Sequence, residues 1–178
     1  MRIEKEKAQL LMIDFQEKLF PHMDNQGVLG KKVITLLEGM KALTVPILAT
    51  RQYPKGLGDT IKELGTYFSE YYDKMTFSCC GSETLLKELQ KTGRKNVIVT
   101  GIEAHICVLQ TVIDLKAMGF TPIVVVDAIG SRNRRDYEIA LKRMEYEGVV
   151  LTTVESVLFE LCQTAGTEEF KMISRLIK

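Results

Sequence analysis

Residues 97–109 read VIVTGIEAHICVL, and their pattern is typical of a strand, a tight turn and a helix in direct succession. Apolar and β-branched residues run into Gly101, and a short polar turn follows. Cys107 then begins a segment with apolar residues at helical spacing, namely Ile106, Leu109, Ile113 and Met118. The period changes from strand to helix within this stretch, so it predicts a strand–turn–helix unit.

The predicted helix carries Cys107 in its first turn. A thiol at that position lies beside unpaired backbone N–H groups and the positive end of the helix dipole, which both favour a thiolate. Cys107 is therefore a candidate nucleophile. The alternative is a small apolar residue packed under the helix, because free cysteine is among the most buried side chains. This stretch alone leaves both interpretations open.

Outward from this unit, short apolar strands alternate with helices along the chain. Strands are predicted at residues 8–13, 45–50, 121–126 and 149–152, and helices at about 28–43, 82–92, 136–147 and near the C-terminus. This alternation predicts a three-layer α/β/α domain with a doubly wound, mainly parallel sheet of Rossmann-like topology. We expect residues 1–178 to form one domain. Residues 59–81 are aromatic-rich and receive no assignment.

The carboxyl ends of parallel strands lie at one edge of the sheet, which is where ligands bind in such folds. Asp14 follows the first strand, a polar loop at residues 51–58 follows the second, and Asp127 follows the strand at 121–126. Cys107 follows the strand of the central unit. The sequence therefore predicts a site at this edge.

Composition excludes several classes of partner. The chain has 24 basic and 23 acidic residues, a net charge of +1, so nucleic acid and anionic membrane surfaces are not expected to bind. No apolar run approaches the roughly 20 residues that a membrane span requires. The charged N-terminus, MRIEKEK, lacks the apolar centre of a signal peptide, and we expect a cytoplasmic protein.

The cysteines and histidines restrict the chemistry. Four cysteines occur without CxxC pairs, and the chain has only His22 and His105, so neither zinc nor disulfides are expected. With only two histidines, a mechanism that uses a Ser-His or Cys-His pair is also less expected. A thiol redox role for the vicinal Cys79 and Cys80 remains an alternative, although adjacent cysteines form only a strained bridge.

Three ordered blocks resemble the signature blocks of the isochorismatase-like cysteine hydrolases. They are LMIDFQ at residues 11–16, KMTFS at 74–78 and GIEAHICV at 101–108. The similarity continues through VVDA at 125–128 and TTVES at 152–156, so it covers essentially the whole chain. The resemblance implies the isochorismatase-like fold and hydrolytic activity, and it points to a compact subgroup whose substrates are mostly unassigned.

The resemblance also implies a triad of Asp14, Lys74 and Cys107. In chemical terms, the lysine ammonium favours the thiolate, and the carboxylate accepts the thiol proton as general base. Each residue has a structural alternative: a turn cap for Asp14, a solvated loop residue for Lys74 and a core residue for Cys107. The family further implies a cis peptide at Ile102–Glu103.

Other site residues follow from the same blocks. The resemblance implies an oxyanion hole formed by the backbone N–H groups of Glu103 and Cys107. We expect substrate contacts from side chains in or beside the blocks, namely Phe15, Gln52, Phe77 and Ile102.

Differences between this sequence and related enzymes limit the reactions that we expect. Related nicotinamidases bind a metal through an aspartate and histidines after the second strand, but residues 51–54 here are RQYP, so we expect neither metal nor cofactor. Members that cleave the vinyl ether of isochorismate generally lack the cysteine. Retention of Cys107 therefore favours hydrolysis of a C–N or related acyl bond in a small molecule. Ether hydrolysis and a non-catalytic oligomeric scaffold remain alternatives.

Two further features concern partners. Arg132, Arg134 and Arg135 are interpreted as a solvated turn before a helix, with contact to an anionic substrate as the alternative. The aromatic segment 67–77 and the apolar positions of 170–177 lie outside the strand–helix alternation, and they predict a homo-oligomer, at least a dimer. In a monomer, the aromatic segment would instead line the pocket around Lys74.

Overall fold

A six-stranded, wholly parallel sheet forms the centre of the molecule in a computed structural model that describes residues 1–178. The strands are β1 (Ala8–Ile13), β2 (Ile47–Gln52), β3 (Tyr72–Lys74), β4 (Asn96–Ile102), β5 (Thr121–Gly130) and β6 (Val150–Thr152). Their order across the sheet is β3-β2-β1-β4-β5-β6, and every neighbouring pair is parallel. All residues of β1 and β4 are buried, as expected for central strands covered on both faces.

Eight helices cover the two faces of the sheet. They are α1 (Gln26–Ala42), α2 (Pro54–Leu57), α3 (Lys62–Gly65), α4 (Glu83–Lys91), α5 (Leu109–Ala117), α6 (Arg134–Tyr146), α7 (Val154–Cys162) and α8 (Glu168–Ile177). One apolar cluster contains buried residues of α1, α7 and α8, and a second contains those of α4, α5 and α6. The predicted three-layer α/β/α architecture is therefore confirmed. None of the helices has the length and apolar character needed to cross a membrane.

The largest differences from the predicted elements lie in three places. Residues 51–52, expected in a loop, belong to β2, and residues 54–57 of that loop form α2. The unassigned stretch 59–81 contains β3, an edge strand of three residues that is too short to show a periodic pattern. Strand β5 extends to Gly130, four residues beyond the predicted end.

The prediction that Asp127 follows β5, at the carboxyl edge of the sheet, is therefore wrong, because the residue lies within this strand. Its Oδ1 accepts a 2.8 Å hydrogen bond from the N–H of Val154, and its Oδ2 lies 3.0 Å from Nζ of Lys32. These contacts join β5 to α7 and α1. Asp127 stabilises the packing of helices on the sheet.

The order of the strands reverses between β1 and β4, and this switch point is where an α/β sheet opens a crevice for ligands. Gly101 of β4 pairs with Ile13 of β1 at this point. A Cβ atom on Gly101 would lie only 2.5 Å from Cβ and 2.9 Å from the carbonyl oxygen of Ile13. Glycine therefore allows the ends of β1 and β4, which carry Asp14 and the turn to Cys107, to approach closely.

The two segments that predicted an oligomer pack largely on the chain's own core. Tyr67 and Phe68 contact the α1-side cluster, and the hydroxyl of Tyr67 donates a 2.5 Å hydrogen bond to Glu38 of α1. Ile173 of α8 is fully buried in the same cluster. At the end of the aromatic segment, Met75 and Phe77 remain 69% and 54% exposed.

Candidate active site

A buried ion pair between Asp14 and Lys74 lies at the carboxyl edge of the sheet. Nζ of Lys74 is 2.6 Å from Oδ2 of Asp14, and neither side chain has exposed surface. Asp14 directly follows β1, and Lys74 ends β3, two strands away. The parallel sheet thus brings together two residues separated by 60 positions in the sequence.

The Lys74 ammonium has further acceptors. It donates to Oε1 of Gln52 at 2.7 Å, to the carbonyl of Phe77 at 3.0 Å and to that of Thr76 at 3.3 Å. Burial acts to lower the pKa of Lys74, but the nearby acidic groups, Asp14 first among them, outweigh burial and raise it above its ordinary value. Lys74 therefore remains a cation at neutral pH.

Two polar residues that the sequence did not single out hold this pair in place. Thr50 of β2 donates a 2.7 Å hydrogen bond to Oδ1 of Asp14. The amide of Gln16 accepts from the N–H of Gln52 at 2.7 Å and donates to its carbonyl at 2.9 Å, so it continues the pairing with β2 past the end of β1. Gln16 ends the block LMIDFQ, which was the available signal, whereas Thr50 looks like any β-branched strand residue.

Cys107 lies in a π-helical turn at residues 104–108 that precedes α5, whereas the sequence predicted the first turn of an ordinary helix. Its side chain is nearly buried, with the residue 6% exposed. Burial raises the pKa of the Cys107 thiol, and the charge of Asp14 and a hydrogen bond to it act in the same direction, while Lys74 opposes them. The net effect is a raised pKa for the Cys107 thiol, opposite in direction to the helix-end effect expected from its position, so its activation depends on a proton acceptor such as Asp14.

The turn between β4 and Cys107 contains the expected cis peptide at Ile102–Glu103, and this prediction is confirmed. The carbonyl of Glu103 accepts hydrogen bonds from the N–H groups of Ile106 and Val108, at 3.1 and 3.3 Å. The N–H of Glu103, in contrast, donates to no atom of the chain, although the residue is only 4% exposed. A buried N–H without an acceptor is rare, so this donor is free for a ligand.

Thr111 of α5 links the Cys107 turn to the segment after β3. Its hydroxyl donates to the carbonyl of Cys107 at 2.6 Å and accepts from the N–H of Cys79 at 2.9 Å. The thiol of Cys79 lies 3.8 Å from the Thr50 hydroxyl, and burial raises its pKa to about 12. All four cysteines are free thiols, including the adjacent Cys79 and Cys80.

The four side chains expected to contact substrate differ in accessibility. Phe15 is fully buried and packs against Phe20, with ring centroids 5.9 Å apart, and Ile102 has no exposed surface either. The Gln52 amide is engaged internally, since its Nε2 donates to the carbonyl of Met75 at 2.9 Å and its Oε1 accepts from Lys74. Only Phe77 exposes much of its side chain, and all four substrate contacts remain predictions.

Residues 1–178 contain no group of three or more histidine, cysteine, aspartate or glutamate side chains arranged to hold a metal ion. In the stretch 51–54, the side chain of Gln52 accepts a hydrogen bond from Lys74. Independence from metal remains a prediction.

Comparisons with known proteins agree with this arrangement of elements. The model of the isochorismatase domain matches residues 8–156. Isochorismatase domain-containing protein 2A of Mus musculus is 38% identical over 178 residues, covering 99% of this chain and 85% of the mouse protein. The MAR1 ribonuclease of Caenorhabditis elegans superposes with a TM-score of 0.93 at 37% identity, covering 99% of this chain and 92% of the other. YcaC of Pseudomonas aeruginosa, solved with hexane-2,5-diol and covalent acrylamide, gives 0.91 at 26% identity, covering 97% and 89%.

Proposed function

This chain belongs to the isochorismatase family, and from that premise we propose that it is a cysteine-dependent hydrolase of a small amide or related C–N or acyl bond. The observation that carries the proposal is the fully buried Asp14–Lys74 ion pair whose charges act on the Cys107 thiol. Burying two charges is unfavourable unless they are paired and hydrogen-bonded, and perturbed charges in a crevice often mark a functional site.

The first half of the reaction forms a thioester. The sulfur of Cys107 attacks the carbonyl carbon of the substrate while Asp14 accepts the thiol proton, and Lys74 stabilises the negative charge shared between them. A tetrahedral oxyanion results. The C–N bond then breaks, and the proton held by Asp14 passes to the departing amine.

The second half restores the enzyme. Water attacks the thioester carbonyl and gives a proton to Asp14, and the C–S bond breaks to release the carboxylic acid. Cys107 recovers its proton from Asp14. Because the resting Cys107 thiol has a raised pKa, its proton must move as the sulfur attacks, which is the role of a general base.

The free N–H of Glu103 supports an oxyanion hole in the turn before Cys107. Removing a single donor of this kind from an enzyme typically lowers kcat by about 10²–10³-fold. We propose that the N–H groups of Glu103 and Cys107 together receive the oxyanion, as the family resemblance implies.

The worm relative is named a ribonuclease, but the residues of this chain do not favour a polyanion substrate. The net charge is +1, and Arg132 and Arg134 are each paired with a glutamate. RNA binding draws on clusters of unpaired basic residues. We therefore propose a small-molecule substrate.

Assembly and location complete the proposal. We propose a single cytoplasmic domain that forms a homo-oligomer, supported by the exposed Met75 and Phe77 next to Lys74 and by Tyr53, which is also exposed. Light scattering tests the assembly: a mass near 20.1 kDa at micromolar concentration would rule out a stable oligomer.

The activity is tested by screening small primary amides for ammonia release with the wild-type chain and the Cys107→Ala variant. We expect ammonia from at least one amide with wild type and background release with the variant. A vinyl ether and a short RNA belong in the same screen. Cleavage of either by both proteins, without any amide hydrolysis, would replace the proposal with the corresponding alternative.

A further inference from the structure

The carboxylate of Glu103 is a buried charge for which the proposed reaction has no direct use. The residue is 4% exposed, and it lies directly after the cis peptide bond, before the turn that carries Cys107. An ionised carboxylate with so little exposure is unfavourable unless it is paired and hydrogen-bonded. Its partners therefore indicate what it does.

Both partners of the carboxylate belong to Arg132, in the loop after β5. The backbone N–H of Arg132 donates to Oε2 at 3.0 Å, and Nε donates to both carboxylate oxygens at 3.1 Å. Arg132 itself is largely open to solvent, with a side chain 59% exposed. The carboxylate thus fixes the backbone of the β5 loop as well as a side chain.

A second contact joins the same two segments. Nδ1 of His105 lies 2.9 Å from the hydroxyl of Ser131, and the carbonyl of Ser131 accepts a 3.1 Å hydrogen bond from the N–H of Asp24. The β4–β5 pairing ends at Ile102 and Gly130, so these contacts extend the connection between the strands past the end of the ladder. They hold Glu103 and His105, on either side of Ala104, against one loop.

From these contacts we infer that Glu103 is a positioning residue, whose side chain bound to Arg132 holds its own backbone N–H in the direction of the substrate oxyanion. The inference rests on the proposed function. The N–H has no acceptor in the chain, and its direction depends on the position of the Glu103 backbone, which the bond between its carboxylate and the β5 loop fixes. The ion pair acts through geometry and does not touch the reacting atoms.

A comparison of two reactions of Cys107, acylation and alkylation, can distinguish a positioning role of Glu103 from a role in overall stability. In acylation by 4-nitrophenyl acetate, the thiol proton passes to Asp14, an S–C bond forms through a tetrahedral oxyanion, and the ester C–O bond breaks to expel 4-nitrophenolate. In alkylation by iodoacetamide, the thiol loses its proton in the same way, an S–C bond forms and the C–I bond breaks to expel iodide, without any oxyanion. Loss of the oxyanion donor therefore slows acylation only.

The experiment measures both rates for wild type, Glu103→Ala, Glu103→Gln and Arg132→Ala, after subtracting the rates of Cys107→Ala. Deletion of an oxyanion donor typically slows a reaction about 10²–10³-fold, and misdirection of the donor should cost part of that. We therefore expect acylation to fall at least about tenfold in Glu103→Ala, while alkylation stays within about threefold. Glu103→Gln retains an oxygen for the N–H of Arg132 and should recover part of the acylation rate. The exposed pair Arg134–Glu138 supplies the control Glu138→Ala, which should change neither rate.

Arg132→Ala keeps the inference testable if replacing the buried Glu103 prevents folding, because the exposed arginine is removed without emptying the core. It too should slow acylation selectively. Equal loss of acylation and alkylation, or no loss of either, in the folded variants would overturn the inference. Acylation of Cys107→Ala at the wild-type rate would instead refute the proposed nucleophile, which is a separate outcome.

Discussion

The hydroxyl of Thr50 donates a 2.7 Å hydrogen bond to Oδ1 of Asp14, while Oδ2 of the same carboxylate receives Lys74 at 2.6 Å. Both oxygens of the proposed base are therefore held from neighbouring strands. Thr50 lies within β2, next to β1, so a central strand of the sheet orients the carboxylate. The geometry of the base is thus part of the fold.

Thr50→Val tests this relationship, since valine has nearly the same shape without the donor. Loss of a hydrogen bond to a charged group should lower the free energy of unfolding by about 1.5–3 kcal/mol, and hydrolysis should fall with it. Urea denaturation measures the first quantity. Thr50→Ser keeps the hydroxyl and should lie closer to wild type, and equal stabilities for valine, serine and wild type would show that the bond is unimportant.

Asp14→Asn should separate the reactivity of Cys107 from turnover. The charge of Asp14 and its hydrogen bond raise the pKa of the Cys107 thiol, and Lys74 lowers it. Without the carboxylate, the thiol pKa should fall, so iodoacetamide should label Cys107 faster at pH 7 than in wild type. Hydrolysis should nevertheless be lost, because the proton carrier is missing.

Peptide mapping after brief labelling measures this effect, and Asp73→Asn, at an exposed partner of Arg51, is the matched control. Slower labelling of Cys107 in Asp14→Asn would contradict the electrostatic account of the site.

Stability should decrease at alkaline pH because of the buried thiols. Burial raises the pKa of Cys79 to about 12 and that of Cys107 as well, whereas an unfolded thiol titrates near about 8.5. Above that pH the unfolded chain binds fewer protons than the folded one, so the free energy of unfolding falls as pH rises towards 12. Below it, the thiols contribute no slope.

Urea titrations from pH 7 to 11 test the slope, and Cys79→Ala should make it shallower, since the Cys107 thiol, whose pKa is also raised, remains. An unchanged slope in this variant would show that Cys79 is not the group responsible.

Much of the fold and of the candidate site could be predicted because the decisive residues sit at the ends of long buried runs. Asp14 follows six buried residues of β1, and Cys107 follows the buried strand β4 and Gly101. Lys74 was different: β3 has three residues at the sheet edge, and only the family resemblance identified this lysine. The charge of Asp127 gave a wrong prediction, because a charged residue after an apolar run is typical of the end of a strand. Asp127 instead lies inside β5, where its carboxylate binds the N–H of Val154 and the ammonium of Lys32.

Other features depend on tertiary contacts that no local pattern contains. The bond from Thr50 to Asp14 joins residues 36 positions apart, and the Glu103–Arg132 pair joins residues 29 apart. The raised pKa of Cys107 follows from burial, which overrides the helix-end effect expected from its position. The π-helical turn at 104–108 likewise had no signal in the apolar spacing.

Gly101→Ala should disturb the switch point between β1 and β4. The new methyl group would meet Cβ of Ile13 at 2.5 Å and its backbone oxygen at 2.9 Å, so the strands must separate. Overpacking of this kind costs about 1–3 kcal/mol, and hydrolysis should fall because Asp14 moves relative to Cys107. Gly27→Ala in α1, where nothing lies within 4 Å, is the control and should leave stability equal or higher. Equal melting temperatures for Gly101→Ala and wild type would contradict the close approach.

The mass of the acid-quenched protein during turnover of an amide found in the screen tests the central claim most directly. We expect a species heavier than the free chain by the acyl group, mapped by peptide analysis to Cys107. In Cys107→Ala, we expect this species to be absent and ammonia release to be lost. Undiminished ammonia release by Cys107→Ala, with no acyl adduct on the wild-type chain, would contradict it.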